Sequence, residues 1–193
     1  MHVGHTERFN PALVPIRPLI TTPQFFESHR LGVFVPRSLD IDVVLDLMIH
    51  DLDLILHLTN SAVSEVQAVG IPVLTPRVDI ANARLEFENG CVANVTASRV
   101  SKEKIRKLRF FQPHDYISID LHQQTVEMYS LVSDTAHLKI AERSPKIERD
   151  EPLRLELNSF LRGIDGQPEP VACTGQQAKQ ALSVALDILE RIT

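Results

Sequence analysis

The strongest constraint on the fold is a change of hydrophobic period near residue 63. From there to about residue 143, apolar and polar residues alternate through a series of segments such as "VSEVQAVGI", "ANARLEFE" and "DYISIDL". This two-residue period is typical of strands that are buried on one face. The sequence therefore predicts an α+β (two-layer α/β) fold, with a large, mainly antiparallel open sheet of about six strands and helices packed on one face.

The dipeptide Asn89-Gly90 is the clearest hairpin signal, because a two-residue turn of this kind needs a positive φ at both positions. Such a turn predicts one apolar hairpin face and one mixed face. The apolar face would hold Ala83, Leu85 and Phe87, and the mixed face Arg84, Glu86, Cys91, Ala93, Val95 and Ala97. A half-apolar second face is commonly buried against a partner, so we expect a homodimer or homotetramer that forms through the open sheet face.

Helical period appears in three other places. Residues 40–59 form the predicted central helix, with aspartates in the first turn, where the helix dipole favours them. Leucines at helical spacing predict a helix over residues 153–164, and Thr174 with Gln177 forms a capping box for a last helix that ends at Ile192. Asn10 before Pro11 predicts a short helix start. The last helix should bury Ala178, Ala181, Leu182, Ala185, Leu189 and Ile192.

Composition narrows the protein class. The chain has 193 residues and 44% hydrophobic content, which suits one compact domain. Its net charge is −5 with no basic tail, so we expect neither nucleic acid nor a membrane as partner. Two cysteines without metal-type spacing, and no apolar run near the roughly 20 residues that cross a bilayer, favour a reduced, cytoplasmic protein.

A short basic run precedes and enters one predicted strand. Its members are Lys102, Lys104, Arg106, Lys107 and Arg109. Such a run could bind phosphate, but it is more typical of a solvated strand edge that discourages unwanted pairing.

The central helix carries a line of ionisable side chains within "LDLMIHDLDLILH". At 100° per residue, Asp46, His50, Asp53 and His57 fall within an arc of about 60° on an otherwise apolar helix. Unpaired carboxylates are costly to bury, so the line should meet water, a metal, polar partners or a ligand. Three interpretations remain open: a solvated face, an Asp/His metal site, or an acid–base site in which Asp46 orients the His50 imidazole.

Four stretches of the sequence together resemble one known family. They are "VGHTERFNPA" at the start, "SHR" at 28–30, "VVLDLMIHDLDLILHL" at 43–58 and the closing "PLRLELNSFLRGIDGQPEPVACTGQQAKQALSVALDILERI". With them, the chain resembles the C-terminal domain of the glucose-fructose oxidoreductase / inositol dehydrogenase / rhizopine catabolism (Gfo/Idh/MocA) family. The resemblance covers most of the chain, and the Asp-x3-His-x2-Asp core is its most specific part. The stretches "RKLRFFQPHDYISIDL" and "SRVSKEK" resemble members that act on UDP-amino sugars.

The resemblance implies an NAD(P)-dependent oxidoreductase that acts on CH–OH groups of sugars, cyclitols or sugar nucleotides. Asp46 and His50 would be its catalytic positions, with His50 as general base. His29, Arg30, Arg8, Asn10 and Asp53 would bind substrate. The open sheet would serve oligomerisation.

Two family features do not occur in this sequence. Family members carry an N-terminal Rossmann domain with a GxGxxG-type loop, and the seven glycines here form no such loop. Family members also carry a Glu-Lys-Pro motif, which this sequence lacks. We therefore expect a C-terminal fragment that binds no NAD(P), coordinates no metal and turns over little alone. Two alternatives stay open: a stand-alone oligomeric binding module, and an Asp/His metal hydrolase.

Overall fold

The computed structural model describes residues 1–36, 39–134 and 137–192. The strands in chain order are β1 (His2–Val3), β2 (Phe25–Leu31), β3 (Val63–Ile71), β4 (Ile80–Phe87), β5 (Val92–Ser98), β6 (Ile105–Gln112), β7 (Asp115–Asp120), β8 (Thr125–Asp134), β9 (His137–Arg143) and β10 (Cys173–Thr174). Eight of them form one sheet in the order β3-β4-β5-β2-β6-β7-β8-β9, and β1 pairs with β10. Only β2 and β5 pair in parallel, which confirms the mainly antiparallel α+β fold with a sheet larger than predicted.

In the described ranges, the three α-helices are α1 (Ile49–Thr59), α2 (Pro152–Ile164) and α3 (Gly175–Arg191). Helices α1 and α3 form the layer over the sheet, and α2 packs against the short 3-10 turn Thr6–Phe9. Helix α1 packs against α3 and over β2 and β5, and α3 packs over β3. The core between the layers is fully apolar at its centre, with Leu52, Ile55, Phe26, Phe110 and Ile188 among its buried side chains. Among the described residues, no helix combines the length and apolar character needed to cross a bilayer.

The capping predictions are confirmed. Thr174 accepts a hydrogen bond from the Gln177 amide, and Gln177 caps the Thr174 amide in return, so α3 begins where the capping box predicts. Asn10 caps a short 3-10 turn, Pro11–Leu13. In α3, however, Leu182 is exposed, and Ala181, Val184, Ala185 and Ile188 are the buried residues.

The 83–97 hairpin differs from the prediction by one residue. Its loop has three residues, because Phe87 pairs with Cys91 and only Gly90 takes a positive φ, at 81°. Leu85 therefore pairs with Ala93 and Ala83 with Val95, which puts all the small apolar residues on the buried face. A one-residue change of register turns every side chain to the other face. The predicted half-apolar outer face is therefore wrong: Arg84, Asn94 and Thr96 lie there instead.

The central helix also differs at its start. It begins at Val44 rather than at Asp40, and its first segment, Val44–Met48, is a π-helical turn that leads directly into α1. Asp42 precedes it and accepts a hydrogen bond from the Val78 amide. A π turn holds more residues than an α turn, so the side chains before and after it lose the α-helical alignment.

Helix α2 is present as predicted, but its apolar side faces outward. The residues that the structure buries in it are Glu156 and Ser159. Its large apolar side chains are between 45% and 67% exposed: Leu153, Leu157, Phe160, Leu161 and Ile164. A contiguous exposed apolar stripe of this kind is typical of interaction surfaces.

Candidate functional site

Two buried arginine–aspartate pairs fix helix α1 to the rest of the domain. Arg8 binds both carboxylate oxygens of Asp53, at 2.8 and 2.7 Å, and Arg30 binds both oxygens of Asp51, at 2.7 and 2.9 Å. All four residues are at most 4% exposed. Bidentate pairing with a guanidinium compensates the cost of burying each carboxylate. The two pairs therefore anchor successive positions of α1 to the N-terminal segment and to β2.

The Arg8–Asp53 pair lies in a compact buried network. Arg8 also donates to the Gln177 side chain at 3.1 Å, and the Cys173 thiol donates to Asp53 at 3.5 Å. His5 Nδ1 lies 3.5 Å from the other Asp53 oxygen. Asn10 is equally buried: its amide nitrogen donates to the Leu121 carbonyl at 2.8 Å, and its amide oxygen caps Ala12. The polar groups of these predicted substrate-binding residues are already paired within the protein.

One group in this network has the composition of a metal site. Single ligand atoms of His5, Asp53 and Cys173 lie within 4.8 Å of one another, and all three residues are buried. The Arg8 guanidinium, however, occupies the same carboxylate and would repel a divalent cation. Burial and the Asp53 charge also raise the pKa of the Cys173 thiol to about 12, so the thiol keeps its proton. The arrangement favours a structural network over a metal site at these three residues.

The other buried pair, Arg30 with Asp51, is extended by a third residue, Glu7. One Glu7 carboxylate oxygen accepts hydrogen bonds from Arg30, at 3.1 and 3.2 Å, and from Arg106, at 3.3 Å. These contacts and the Asp51 carboxylate outweigh burial and raise the pKa of Arg30 above its usual value. Arg30 is therefore a fixed positive charge at the base of the site.

His50 lies beside this charge, on the first turn of α1. Its ring makes an edge contact with the His5 ring at a centroid distance of 5.9 Å. Burial and the nearby Arg30 guanidinium lower the pKa of His50 below 6.5, although Asp51 opposes them. The imidazole is thus neutral at physiological pH, which is the form that can accept a proton.

Asp46 is not the partner that orients His50. In the described part of the chain, no hydrogen bond or ion pair joins these two side chains. The physical reason is the π turn at Val44–Met48, which shifts Asp46 out of the line that an α-helix would give. Asp46 instead lines a cleft of about 250 Å³ together with Arg30, Gly32, Arg99, Lys104 and Arg106.

The predicted stripe therefore does not face a single crevice. Asp46 lies in one cleft, Asp53 is buried with Arg8, and His57 lines a second cleft of about 350 Å³ between the end of α1 and α3. Burial, together with Arg8 and Arg17, lowers the pKa of His57 to about 4. Arg30 is the neighbour that Asp46 and His50 share: it lines the cleft with Asp46, and burial together with its charge lowers the pKa of His50. His57 lies apart from both, in the second cleft.

His29 and Arg30, both predicted to bind substrate, lie on opposite faces of the sheet. Arg30 faces the helices, whereas His29 pairs across the sheet with Thr96 and Lys107 on the open face. Alternation of side chains along a strand requires this separation. Of the two, only Arg30 lines the cleft that contains Asp46.

Sequence reasoning missed Asp51 and Glu7, although both are central to the site. Asp51 lies outside the helical line of Asp46, Asp53 and the histidines, so the spacing does not select it. The available signal is the need of buried arginines such as Arg8 and Arg30 for acidic partners. Glu7 carried no such signal, since its role depends on the approach of Arg106 from 99 residues away.

Comparison with known proteins gives consistent results. Residues 24–113 match the GFO/IDH/MocA C-terminal domain. The chain is 37% identical over 189 residues to the UDP-N-acetylglucosamine 3-dehydrogenase of Acidithiobacillus ferrooxidans, an alignment that covers 96% of this chain and 60% of that relative. It is 26% identical over 205 residues to the uncharacterized oxidoreductase YrbE of Bacillus subtilis, covering 96% of this chain and 58% of that protein. The chain thus spans about 60% of the length of these curated relatives.

Solved structures agree. The Acidithiobacillus ferrooxidans dehydrogenase superposes with a TM-score of 0.89 at 35% identity, over 98% of this chain and 60% of that one. Levoglucosan dehydrogenase in complex with NADH shares the fold, with a TM-score of 0.82 at 15% identity, over 99% of this chain and 63% of the other. From the matched domain, the shared fold and the identity to these relatives, we conclude that residues 24–113 carry the C-terminal domain of the GFO/IDH/MocA family.

Proposed function

We propose that this chain is the catalytic, substrate-binding and oligomerisation domain of an NAD(P)-dependent dehydrogenase that oxidises a hydroxyl of a sugar nucleotide. The first candidate substrate is UDP-N-acetylglucosamine, which the name of the 37% identical relative contains. The observation that carries the proposal is the neutral, partly buried His50 beside the Arg30 charge, because Arg30 also lines the cleft that contains Asp46. That cleft could hold a polyol.

The proton chemistry follows from this arrangement. Oxidation of a secondary alcohol removes a hydride from carbon and a proton from oxygen, and a neutral imidazole can accept the proton. Arg30, fixed by Asp51 and Glu7, favours negative charge and so stabilises the alkoxide that develops as the proton leaves. Asp46, which lines the same cleft as Arg30, would accept hydrogen bonds from sugar hydroxyls.

A nicotinamide cofactor does not fit the described residues of this chain. A dinucleotide site needs a glycine-rich turn from a strand to a helix, where the backbone approaches the pyrophosphate. Among the described glycines, Gly175 alone opens a helix directly after a strand, and the Met1 side chain lies against it. We propose that a second lobe of the whole protein holds NAD or NADP, and that this chain alone turns over little or nothing.

The outward apolar face of α2 supports a second lobe. Its five large apolar side chains are exposed in the described structure, although helices on a folded domain normally turn that side to a core. This chain spans about 60% of the length of the curated relatives, and the remaining length could hold a nucleotide-binding lobe. We propose that this lobe covers the apolar side of α2.

An assay of the whole protein tests the proposal. With UDP-N-acetylglucosamine and NAD or NADP, we expect reduced nicotinamide to appear in absorbance at a rate far above that with N-acetylglucosamine alone. The 193-residue chain should give no signal with the same reagents. Turnover of a free sugar such as levoglucosan, with none of any sugar nucleotide, would contradict the proposed substrate class.

Oligomerisation through the open sheet face is also a proposal, and it would suit a stand-alone binding module as well. The face carries a row of aromatic side chains across four strands. Neighbouring ring centroids are 5.8, 5.1 and 5.9 Å apart along Phe25, Phe111, Tyr116 and Tyr129. Aromatic residues are enriched in the buried cores of protein interfaces.

Substitution in this row should change the assembly state. We expect Phe111→Glu to convert a dimer or tetramer into a monomer in sedimentation velocity, because it would bury a carboxylate among the aromatic rings. Gln176→Glu, an exposed residue in the helical layer, is the matched control and should leave the assembly unchanged. A wild-type chain that sediments as a monomer at every concentration would remove the proposal.

A further inference from the structure

The cleft beside Asp46 is strongly basic at its rim. Besides Asp46, its ionisable lining residues are Arg30, Arg99, Lys104 and Arg106. At about 250 Å³, it is smaller than the roughly 300–1,000 Å³ of pockets that enclose a drug-sized ligand. It can therefore hold only part of a sugar nucleotide, and the remainder would extend over the rim.

These cations differ in how far they are neutralised by the protein. Arg30 has Asp51 and Glu7, and Arg99 lies 3.8 Å from the buried Asp79. Arg106 shares a single Glu7 oxygen with Arg30 through one of its nitrogens, and its side chain remains 38% exposed. An arginine has five N–H donors, so most of those of Arg106 remain available to a ligand.

Lys104 is the least neutralised of these cations. Its side chain is exposed, and within the described ranges it has no ion pair or hydrogen bond. Lys104 directly precedes β6 and Arg106 is the second residue of that strand, and both side chains line the same cleft. Together they place two positive charges at the mouth of the cleft. The Glu7 carboxylate is shared between Arg106 and Arg30.

The basic run noted in the sequence is thereby divided between the two sides of the sheet. Lys104 and Arg106 line the cleft, whereas Lys107 and Arg109 project from the open face, where Arg109 binds Glu27 at 2.7 Å. A solvated strand edge would not require two of the cations to converge on a cleft that contains an unpaired aspartate. The convergence needs another explanation.

We infer that Lys104 and Arg106 bind the diphosphate of a nucleoside-diphosphate sugar, with the sugar directed inward toward Asp46. The inference rests on the proposed function and names the substrate group that this rim recognises. A diphosphate presents several anionic oxygens, which an ammonium and a guanidinium two residues apart can share. The exposed apolar residues Val33 and Val35 continue the rim of the same cleft and would meet the nucleoside.

Binding of separate parts of the substrate tests the inference. We would titrate the 193-residue chain calorimetrically with UDP, UMP and N-acetylglucosamine, using wild type, Lys104→Ala, Arg106→Gln and Lys107→Ala. We expect UDP to bind more tightly than UMP, and each of the first two variants to raise the Kd for UDP about tenfold. The effect should shrink as salt is added, because charge attraction is screened. Lys107→Ala is the matched control and should bind UDP like wild type.

A kinetic measurement on the whole protein separates this inference from the proposed function. Lys104→Ala should raise KM for UDP-N-acetylglucosamine about tenfold and leave kcat within about twofold, since the contact is equal in ground and transition states. An unchanged KM, absence of UDP binding to wild type, or an equal loss in Lys107→Ala would overturn the inference. Failure of the proposed function would appear instead as no turnover of any sugar nucleotide while UDP still binds.

Discussion

Replacement of His50 by glutamine is expected to lower kcat/KM of the whole protein about 10²- to 10⁴-fold, the usual contribution of a positioned general base. Glutamine keeps much of the volume and polarity of the partly buried side chain but cannot accept the proton. Binding of UDP-N-acetylglucosamine should change little, because the loss lies in proton transfer. Steady-state kinetics with wild type and variant, together with circular dichroism to establish folding, give the comparison.

The pH profile provides a second readout of the same role. The pKa of His50 is lowered from 6.5 by burial and by Arg30, so the neutral base form persists to lower pH than in a free histidine. The acid limb of kcat/KM should therefore lie below pH 6.5 and disappear in His50→Gln. His57→Gln is the control, since His57 lies on the same helix but lines the other cleft. Wild-type turnover in His50→Gln, or an equal loss in His57→Gln, would contradict the assignment.

Local signals in the sequence predicted local structure well. The capping box at Thr174 fixed the start of α3, and the Asn10–Pro11 pair predicted a capped turn, because both depend on side chains that bond to backbone a few residues away. The alternating period predicted the sheet for the same reason. The hairpin at Gly90 shows where such local signals fail. Its loop has three residues instead of two, so the side chains of its second strand lie on the opposite face from the one predicted.

The candidate site was harder to predict because its geometry depends on distant partners. Arg8 and Asp53 are 45 residues apart, and Arg30 and Asp51 are 21 apart, so helical spacing alone could not pair them. The predicted contact between Asp46 and His50 required a regular α-helix, whereas Asp46 lies in the π turn Val44–Met48. The sequence pattern located the helix and its ionisable residues correctly. The direction of each side chain depends on tertiary contacts, which the pattern does not contain.

The buried Arg8–Asp53 pair should make the largest single contribution to stability among the charged residues of the site. We expect Arg8→Met to lower the free energy of unfolding by about 3–5 kcal/mol, because it leaves the Asp53 carboxylate buried without its bidentate partner. Domains of this size are stable by only about 5–15 kcal/mol, so the variant should lose between a fifth and all of its free energy of unfolding, by order of magnitude. Urea denaturation of the 193-residue chain measures the difference.

The double variant Arg8→Met/Asp53→Leu separates loss of the pair from loss of a substrate contact. Removing both charges eliminates the unpaired carboxylate, so much of the lost stability should return, which is the usual behaviour of buried ion pairs replaced by apolar residues. Arg84→Ala, in a pair that is more than 40% exposed, is the control and should stay within about 0.5 kcal/mol of wild type. If Arg8→Met unfolds like wild type but the whole protein loses sugar-nucleotide binding, Arg8 contacts substrate, as the family resemblance implies. If the double variant restores stability and substrate binding together, Arg8 acts by holding α1, and with it His50, in place.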